Sequence, residues 1–153
     1  MGLEIERKFL VQGDDWRKNE STTYRQGYLT IDEQRTVRIR EDGSHAYLTV
    51  KGHVQGITRK EFEYQIPLED ALDMLDNLCE HPLIEKRRYK IEYGGLVWEV
   101  DEFFNENQGL ILAEVELVSE AQQIERPPWL GKEVTDDERY YNSNLVHRPY
   151  SHW

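Results

Sequence analysis

The feature that most constrains the fold is an alternation of side chains with a period of two, which recurs in short segments along most of the chain. Successive side chains of a β-strand point to opposite faces, so this period predicts strands. Residues 41–44 (Glu-Asp-Gly-Ser) and 94–95 (Gly-Gly) suit tight turns, so we expect their flanking strands to pair as antiparallel hairpins. The predicted strands cover residues 3–11, 24–31, 36–41, 46–52, 57–66, 84–93, 96–103 and 110–118.

Two segments outside these strands predict helices. Residues 68–79 carry apolar side chains at helical spacing, and Pro67 suits the start of a helix. Ser119 followed by Gln122 resembles a capping box, which predicts a second helix from that point. The apolar face of the first helix would consist of Leu68, Leu72, Leu75 and Cys79.

These elements define an expected architecture. No repeat, low-complexity tract or flexible linker divides the chain, and 153 residues suit one domain, so we expect a single domain over residues 1–153. About eight strands with antiparallel hairpins make an antiparallel barrel with packed helices the most economical architecture. The predicted fold class is α+β, with an eight-stranded antiparallel closed β-barrel and helices packed outside.

The polar face of many strands carries ionised side chains that are sorted by sign. Any one such face is most often the solvent side of a half-buried strand. Neighbouring like charges repel, however, and six segments carry doublets or triplets of charge. Turned into a barrel, these faces would bring together seven basic side chains, Lys8, Arg38, Arg40, Lys51, Arg59, Lys86 and Arg88, and seven acidic ones, Glu4, Glu6, Glu61, Glu63, Asp101, Glu114 and Glu116.

Such an interior must stay wet, pair its charges closely or receive ions, because an unpaired buried charge is costly. A small polyanion bound together with a cation meets that requirement. The interior would be formally neutral, so the whole net charge of −11 would lie outside it. An acidic exterior repels nucleic acids and anionic membrane surfaces, which favours a compact small-molecule ligand as the partner.

Cellular location is predicted from what the sequence lacks. No apolar run approaches the roughly 20 residues that span a bilayer. Cys79 is the single cysteine, which excludes an internal disulfide. The first residues do not show the basic and then apolar layout of a signal peptide. We therefore expect a cytoplasmic protein without a membrane partner.

An ordered series of short motifs runs along the chain. It begins with Glu-Ile-Glu-Arg-Lys at residues 4–8 and includes Arg-Gln-Gly-Tyr-Leu at residues 25–29. The other segments of the series are residues 38–40, 49–51, 59–63, 85–89, 99–101, 114–116 and 127–135. Any one motif is weak, but the ordered set covers nearly the whole chain. The series resembles the CYTH domain, or triphosphate tunnel metalloenzyme, family, and is most similar to its short bacterial tripolyphosphatases.

The resemblance implies an eight-stranded tunnel in which a triphosphate is hydrolysed with a divalent metal. It implies that Mg²⁺ or Mn²⁺ is held by Glu4, Glu6, Glu114 and Glu116, because hard cations prefer oxygen ligands. The phosphates would be bound by Arg38, Arg40, Lys51, Arg59, Lys86 and Arg88. Lys8 and Tyr28 resemble a pair that positions or deprotonates groups at the reacting end of the substrate. Tyr28 would equally suit a structural role, as an aromatic residue that lines the barrel with its hydroxyl hydrogen-bonded.

Several functions remain open at this point. The expected activity is hydrolysis of inorganic tripolyphosphate to pyrophosphate and phosphate. The alternatives are a class IV type adenylate cyclase, a thiamine or nucleoside triphosphatase, and a polyphosphate-binding module without catalysis. Pure anion binding gains nothing from four metal-binding carboxylates, which argues against the last. We expect Tyr140, Tyr141 and Trp153 to be exposed, which together with the acidic exterior is compatible with a homodimer.

Overall fold

The computed structural model of the protein describes residues 2–32 and 34–153. Within these described residues, nine β-strands belong to one sheet, and every pairing in it is antiparallel. The strands are β1 (Leu3–Val11), β2 (Ser21–Ile31), β3 (Arg35–Glu41), β4 (Ala46–Gly52), β5 (Thr58–Ile66), β6 (Ile84–Tyr93), β7 (Leu96–Phe103), β8 (Ile111–Glu116) and β9 (Leu130–Glu133).

Eight of these strands close into a ring, which confirms the expected fold class. Their order is β5-β4-β3-β2-β6-β7-β8-β1, and β1 pairs back to β5. The pairing of β1 explains the closure. One edge of β1 pairs with β8, while the other pairs first with β5 near Glu4 and then with β9 near Phe9. Strand β9 therefore pairs with the part of β1 that lies beyond its pairing with β5.

The period-two segments correspond to strands β1 to β8. The predicted bounds of β1, β4, β6 and β7 are those observed, whereas β2 begins earlier, at Ser21, and β8 is shorter at both ends. Both predicted hairpins, β3 with β4 and β6 with β7, are present. Strand β9 was not predicted, because its four residues are too few to show a period and include Gly131.

One helix prediction is confirmed and the other is wrong. Helix α1 (Leu68–Asn77) buries Ala71 and Leu75 against the outer side of the sheet. The segment after Ser119 forms a turn instead of a helix. Gln122 donates its backbone N–H to the Ser119 carbonyl, and its side-chain oxygen accepts from the backbone of Val118. The eight residues before Pro127 lack an apolar helical face, so the capping signal alone does not start a helix.

Apolar residues pack on both sides of the sheet. On the outer side of β1, β7 and β8, Phe9, Trp98 and Val115 are buried beneath Trp16 and Trp129. A second cluster lies inside the ring, near one of its two ends, where several strands begin or end. It joins Tyr28, Ile84, Phe103, Leu110 and Leu112 to the C-terminal residues Val134, Tyr140, Leu145 and Val146.

The C-terminal segment therefore covers one end of the ring interior. It contains a second helix, α2 (Asn142–His147), which the sequence did not indicate. Leu145 and Val146 of this helix are buried against the strand ends. Among residues 2–32 and 34–153, no helix is both long enough and apolar enough to cross a membrane.

Candidate active site

The strand register turns the charged faces inward around the ring. Residues that lie directly opposite each other in an antiparallel pair share a face of the sheet. The charged residues are opposite one another, or opposite inward-facing polar residues, at each step around the ring. Examples of these opposed pairs are Glu4 with Arg59, Glu6 with Glu116, Lys8 with Glu114, Arg88 with Asp101, Arg38 with Thr49, and Lys51 with Glu61.

Ten of the twelve predicted site residues line a single cavity inside the ring. Arg40 and Glu116 are the two that do not line it. Glu116 lies opposite Glu6 on the neighbouring strand, and its side chain is exposed. The ten are Glu4, Glu6, Lys8, Tyr28, Arg38, Lys51, Arg59, Lys86, Arg88 and Glu114.

The cavity wall carries an excess of positive charge. Six of its side chains are basic, whereas three are acidic. Arg38 also has a buried Nε without a hydrogen-bond partner among the residues that the structure describes. All six basic side chains already contact a carboxylate, so the excess is in the charges that face the cavity and not in unpaired cations. A small anion can compete with these carboxylates for the N–H donors of the wall. The cavity is therefore suited to an anion with several charges.

Glu4 is held by two of these cations. Its carboxylate lies 3.1 Å from Lys51 Nζ and 3.1 Å from Arg59 Nε. Burial raises the pKa of Glu4, but the charges of Lys51 and Arg59 outweigh burial and hold the pKa well below its ordinary value. Glu61 adds a further contact to Lys51, at 3.3 Å. Glu4 is thus ionised and already paired.

Glu114 and Glu6 differ although they are close together. Glu114 lies 3.6 Å from Lys8 Nζ and 3.7 Å from Arg88 Nη2. Burial opposes its ionisation, yet Lys8 and Arg88 lower its pKa far below normal. Burial raises the pKa of Glu6 instead, and the nearby charges of Glu114 and Glu4 raise it further. In the described structure, Glu6 therefore lacks the close basic partner that Glu4 and Glu114 each have.

Glu116 shares this deficit. Although Glu116 is exposed overall, partial burial of its carboxyl raises its pKa, and the charges of Glu4 and Glu99 raise it further. The described residues contain no ready group of three acidic, His or Cys side chains that could hold a metal ion. Glu4 and Glu114 are engaged with Lys and Arg, while Glu6 and Glu116 face each other across β1 and β8. The crowded carboxylates fit a divalent cation, which would relieve their mutual repulsion.

Asp101 joins two basic residues on the opposite wall. It is fully buried, and it accepts from Arg88 Nε at 2.7 Å and from Arg88 Nη2 at 2.9 Å. The Nζ of Lys86 lies 3.0 Å from the second oxygen of Asp101. Burial lowers the pKa of Lys86 to about 8 despite the opposing effect of Asp101. Asp101 thus sets the positions of both cations.

Arg38 and Arg40 differ in their surroundings. Arg38 reaches Thr49 Oγ1 at 3.4 Å and Glu63 at 3.6 Å. Arg40 lies farther along the interior, with its guanidinium 4.6 Å from the ring centre of Tyr24 and 5.8 Å from that of Tyr47. Burial lowers the pKa of Arg40, and the charges of Arg38 and Arg88 lower it further.

Nearly the whole chain matches one protein family. A model of the CYTH domain matches residues 2–150. The chain belongs to the CYTH domain family. An inorganic triphosphatase of Acetivibrio thermocellus is 50% identical to this CYTH protein over an alignment of 154 positions that covers 100% of this chain and 99% of that protein.

A second relative and a solved structure agree with this assignment. An inorganic triphosphatase of Nitrosomonas europaea is 39% identical over 147 residues, covering 94% of this chain and 96% of that protein. A crystal structure of an inorganic triphosphatase superposes on this CYTH domain with a TM-score of 0.67 at 38% identity, covering 94% of this chain and 93% of the other.

Sequence reasoning missed the part of the CYTH site that comes from the C-terminal segment. Tyr141, Asn142 and Ser143 line the cavity together with the strand residues. The expectation that Tyr140 is exposed is wrong, because it is buried within the inner apolar cluster and its ring meets the Trp153 ring edge to face. These residues follow no charged alternation, so no local pattern signals their place in the cavity.

Proposed function

We propose that this CYTH-domain protein hydrolyses inorganic tripolyphosphate to pyrophosphate and phosphate in a metal-dependent reaction. The observation that carries the proposal is the cavity wall with six basic and three acidic side chains, enclosed within a ring of strands. The names of the relatives in Acetivibrio and Nitrosomonas support it. The net charge of −11 favours a small anion over a nucleic acid, because the exterior repels long polyanions.

Substrate binding is assigned to the basic wall. Arg38, Lys51 and Arg59 lie on one side of the cavity, and Lys86 and Arg88 lie on the other. Each guanidinium offers a planar pair of donors that matches two oxygens of one phosphate, whereas each ammonium acts as a compact charge. A tripolyphosphate held between these walls would be contacted from both sides. Arg40 would contact only a phosphate that extends toward Tyr24 and Tyr47.

Metal binding is assigned to Glu4, Glu6, Glu114 and Glu116, with Mg²⁺ or Mn²⁺ as the ion. When bound, the ion would neutralise phosphate charge and favour a nucleophilic water. The ion pairs suggest how the carboxylates become available. An arriving triphosphate competes for Lys51 and Arg59, which hold Glu4, and for Lys8 and Arg88, which contact Glu114. Carboxylates released in this way can turn toward the cation.

Lys8 and Tyr28 are assigned to the reacting end of the substrate. Lys8 Nζ is directed by Glu114 and by the carbonyl of Tyr140, at 3.1 Å. Burial raises the pKa of Tyr28, so its hydroxyl keeps its proton at neutral pH and acts as a donor to a phosphate oxygen. Together with the arginines, these groups would hold the terminal phosphate in line with the attacking water. The remaining contribution is charge stabilisation by fixed cations.

The experiment is a comparison of substrates with purified protein. Phosphate release is measured with Mg²⁺ and then Mn²⁺ on tripolyphosphate, thiamine triphosphate, ATP and pyrophosphate, and cyclic AMP is monitored in the ATP samples. We expect tripolyphosphate to be the preferred substrate. Cyclic AMP from ATP would instead assign an adenylate cyclase, and a folded protein that binds tripolyphosphate without hydrolysing any substrate would assign a binding module.

A further inference from the structure

The environment of Lys86 suggests a role for a residue outside the charged strands. Lys86 is almost fully buried, and it lines the cavity. An ammonium group has three N–H donors. Two acceptors lie at 3.0 Å from Lys86 Nζ, one on Asp101 and the other the side-chain oxygen of Asn142. In the part of the chain that the structure describes, this leaves one N–H for a ligand in the cavity.

Asn142 is itself fixed in orientation. Its side-chain oxygen also accepts from Gln26 Nε2 at 2.9 Å, and Gln26 is fully buried. Because two donors converge on this oxygen, the amide cannot turn its NH₂ group toward Lys86 without losing both bonds. Asn142 is the first residue of α2, which is anchored by the buried side chains of Leu145 and Val146. The side-chain oxygen of Asn142 is therefore held by a helix that is packed in place.

We propose that Asn142 is a positioning residue, which together with Asp101 directs the remaining N–H of Lys86 toward a phosphate of the substrate. The inference rests on the proposed function for the identity of that substrate. Without Asn142, the ammonium is held on one side only and turns toward the carboxylates of Asp101 and Glu114. The neighbouring backbone has a parallel arrangement, since the carbonyl of Tyr140 accepts from Lys8 and the ring of Tyr141 lies 5.6 Å from Lys8 Nζ.

The test uses two substitutions at Asn142 and one control in the same helix. Asn142→Leu keeps a similar size but removes the acceptor. Asn142→Asp keeps an acceptor oxygen and adds a negative charge. Asn144→Ala is the control, because Asn144 donates to the Glu138 carbonyl at 2.8 Å and its loss weakens the same segment without touching Lys86. Each variant is assayed for kcat and KM on tripolyphosphate, for thermal unfolding, and for tripolyphosphate affinity by calorimetry in EDTA.

The two substitutions should differ in a way that loss of stability does not explain. For Asn142→Leu we expect kcat/KM, and the affinity in EDTA, to fall by about tenfold or more, as for a lost bond to a charged group. For Asn142→Asp we expect kcat to remain within about threefold while KM rises, because the new charge competes with phosphate for a correctly placed Lys86. Asn144→Ala should lower the Tm without either effect.

Two results would overturn the inference. One is an Asn142→Leu protein whose kcat/KM and affinity stay within about twofold of the wild type. The other is an equal loss in Asn144→Ala, which would assign the effect to stability of the C-terminal segment. A wild-type protein that does not hydrolyse tripolyphosphate would refute the proposed function instead. In that case the affinities measured in EDTA would still decide whether Asn142 positions Lys86.

Discussion

Asp101→Asn removes the only negative charge that contacts both Lys86 and Arg88 in the described structure. The wild-type carboxylate is fully buried and receives two bonds from Arg88, at 2.7 and 2.9 Å, and one contact from Lys86, at 3.0 Å. Burial opposes ionisation of Asp101, but the charges of Arg88 and Lys86 lower its pKa below the ordinary value. The amide of Asn is neutral, so both cations would remain buried with less compensation.

The expected loss of stability is large for a single substitution. Removing one partner of a buried ion pair costs about 3–5 kcal/mol, because the other partner stays desolvated. For a chain of this length each kcal/mol lowers the Tm by about 2–4 °C, so we expect a decrease of about 6–20 °C. The wild type should exceed Asp101→Asn in free energy of unfolding by the full amount above about pH 4, the ordinary pKa of an Asp. This difference should disappear as pH falls through the lowered pKa of Asp101 in the folded protein.

Urea and thermal unfolding followed by circular dichroism measure this loss at neutral pH. Glu102→Gln is the matched control, because Glu102 is the next residue on the same strand and pairs at 2.7 Å with the partly exposed Arg17. That change should cost less than about 1 kcal/mol. Tripolyphosphate added in EDTA should stabilise Asp101→Asn more than the wild type, since the variant has an extra unpaired cation. Equal stability of Asp101→Asn and Glu102→Gln would refute the assignment of Asp101 as the central counterion.

Three further predictions concern activity. Glu6→Gln should abolish phosphate release, and Glu116→Gln should behave in the same way. The Tm of Glu6→Gln should not fall at neutral pH, because the raised pKa of Glu6 indicates that the fold disfavours its charge. Retained turnover would exclude Glu6 from the metal site. Arg40→Ala should raise the KM for tripolyphosphate more than Arg7→Ala, because Arg7 pairs with Glu133 at 2.7 Å outside the cavity; equal effects would contradict the inward register. The KM for tripolyphosphate should also rise as pH passes about 8, the lowered pKa of Lys86, because the neutral amine binds phosphate more weakly. A KM that is constant up to about pH 10 would exclude Lys86 as a charged phosphate ligand.

The ring of strands was predictable because its signal is local and repeated. Alternation identifies a strand within a few residues, and the sorting of charge identifies which face shares an environment with the other strands. Glu4, Glu6 and Lys8 illustrate this, since one short segment predicts both the strand and its inward face. Opposite charges then indicate which faces must meet, even without knowledge of the strand order.

The C-terminal part of the site was not predictable in this way. Asn142 enters the cavity because Leu145 and Val146 pack against strand ends that are distant in sequence. Nothing in the six residues of α2 marks that contact. The reverse error occurred at Ser119, where a local capping pattern predicted a helix that has no apolar face to stabilise it. Long-range packing decided both cases.

Hydrolysis can be observed directly by phosphorus NMR of tripolyphosphate incubated with the wild-type protein and Mg²⁺ or Mn²⁺. We expect the tripolyphosphate signals to be replaced by orthophosphate and pyrophosphate in equal amounts. The signals should stay unchanged in EDTA and with Glu6→Gln. Tripolyphosphate that remains intact in the presence of folded wild-type protein and either metal would contradict the proposed activity.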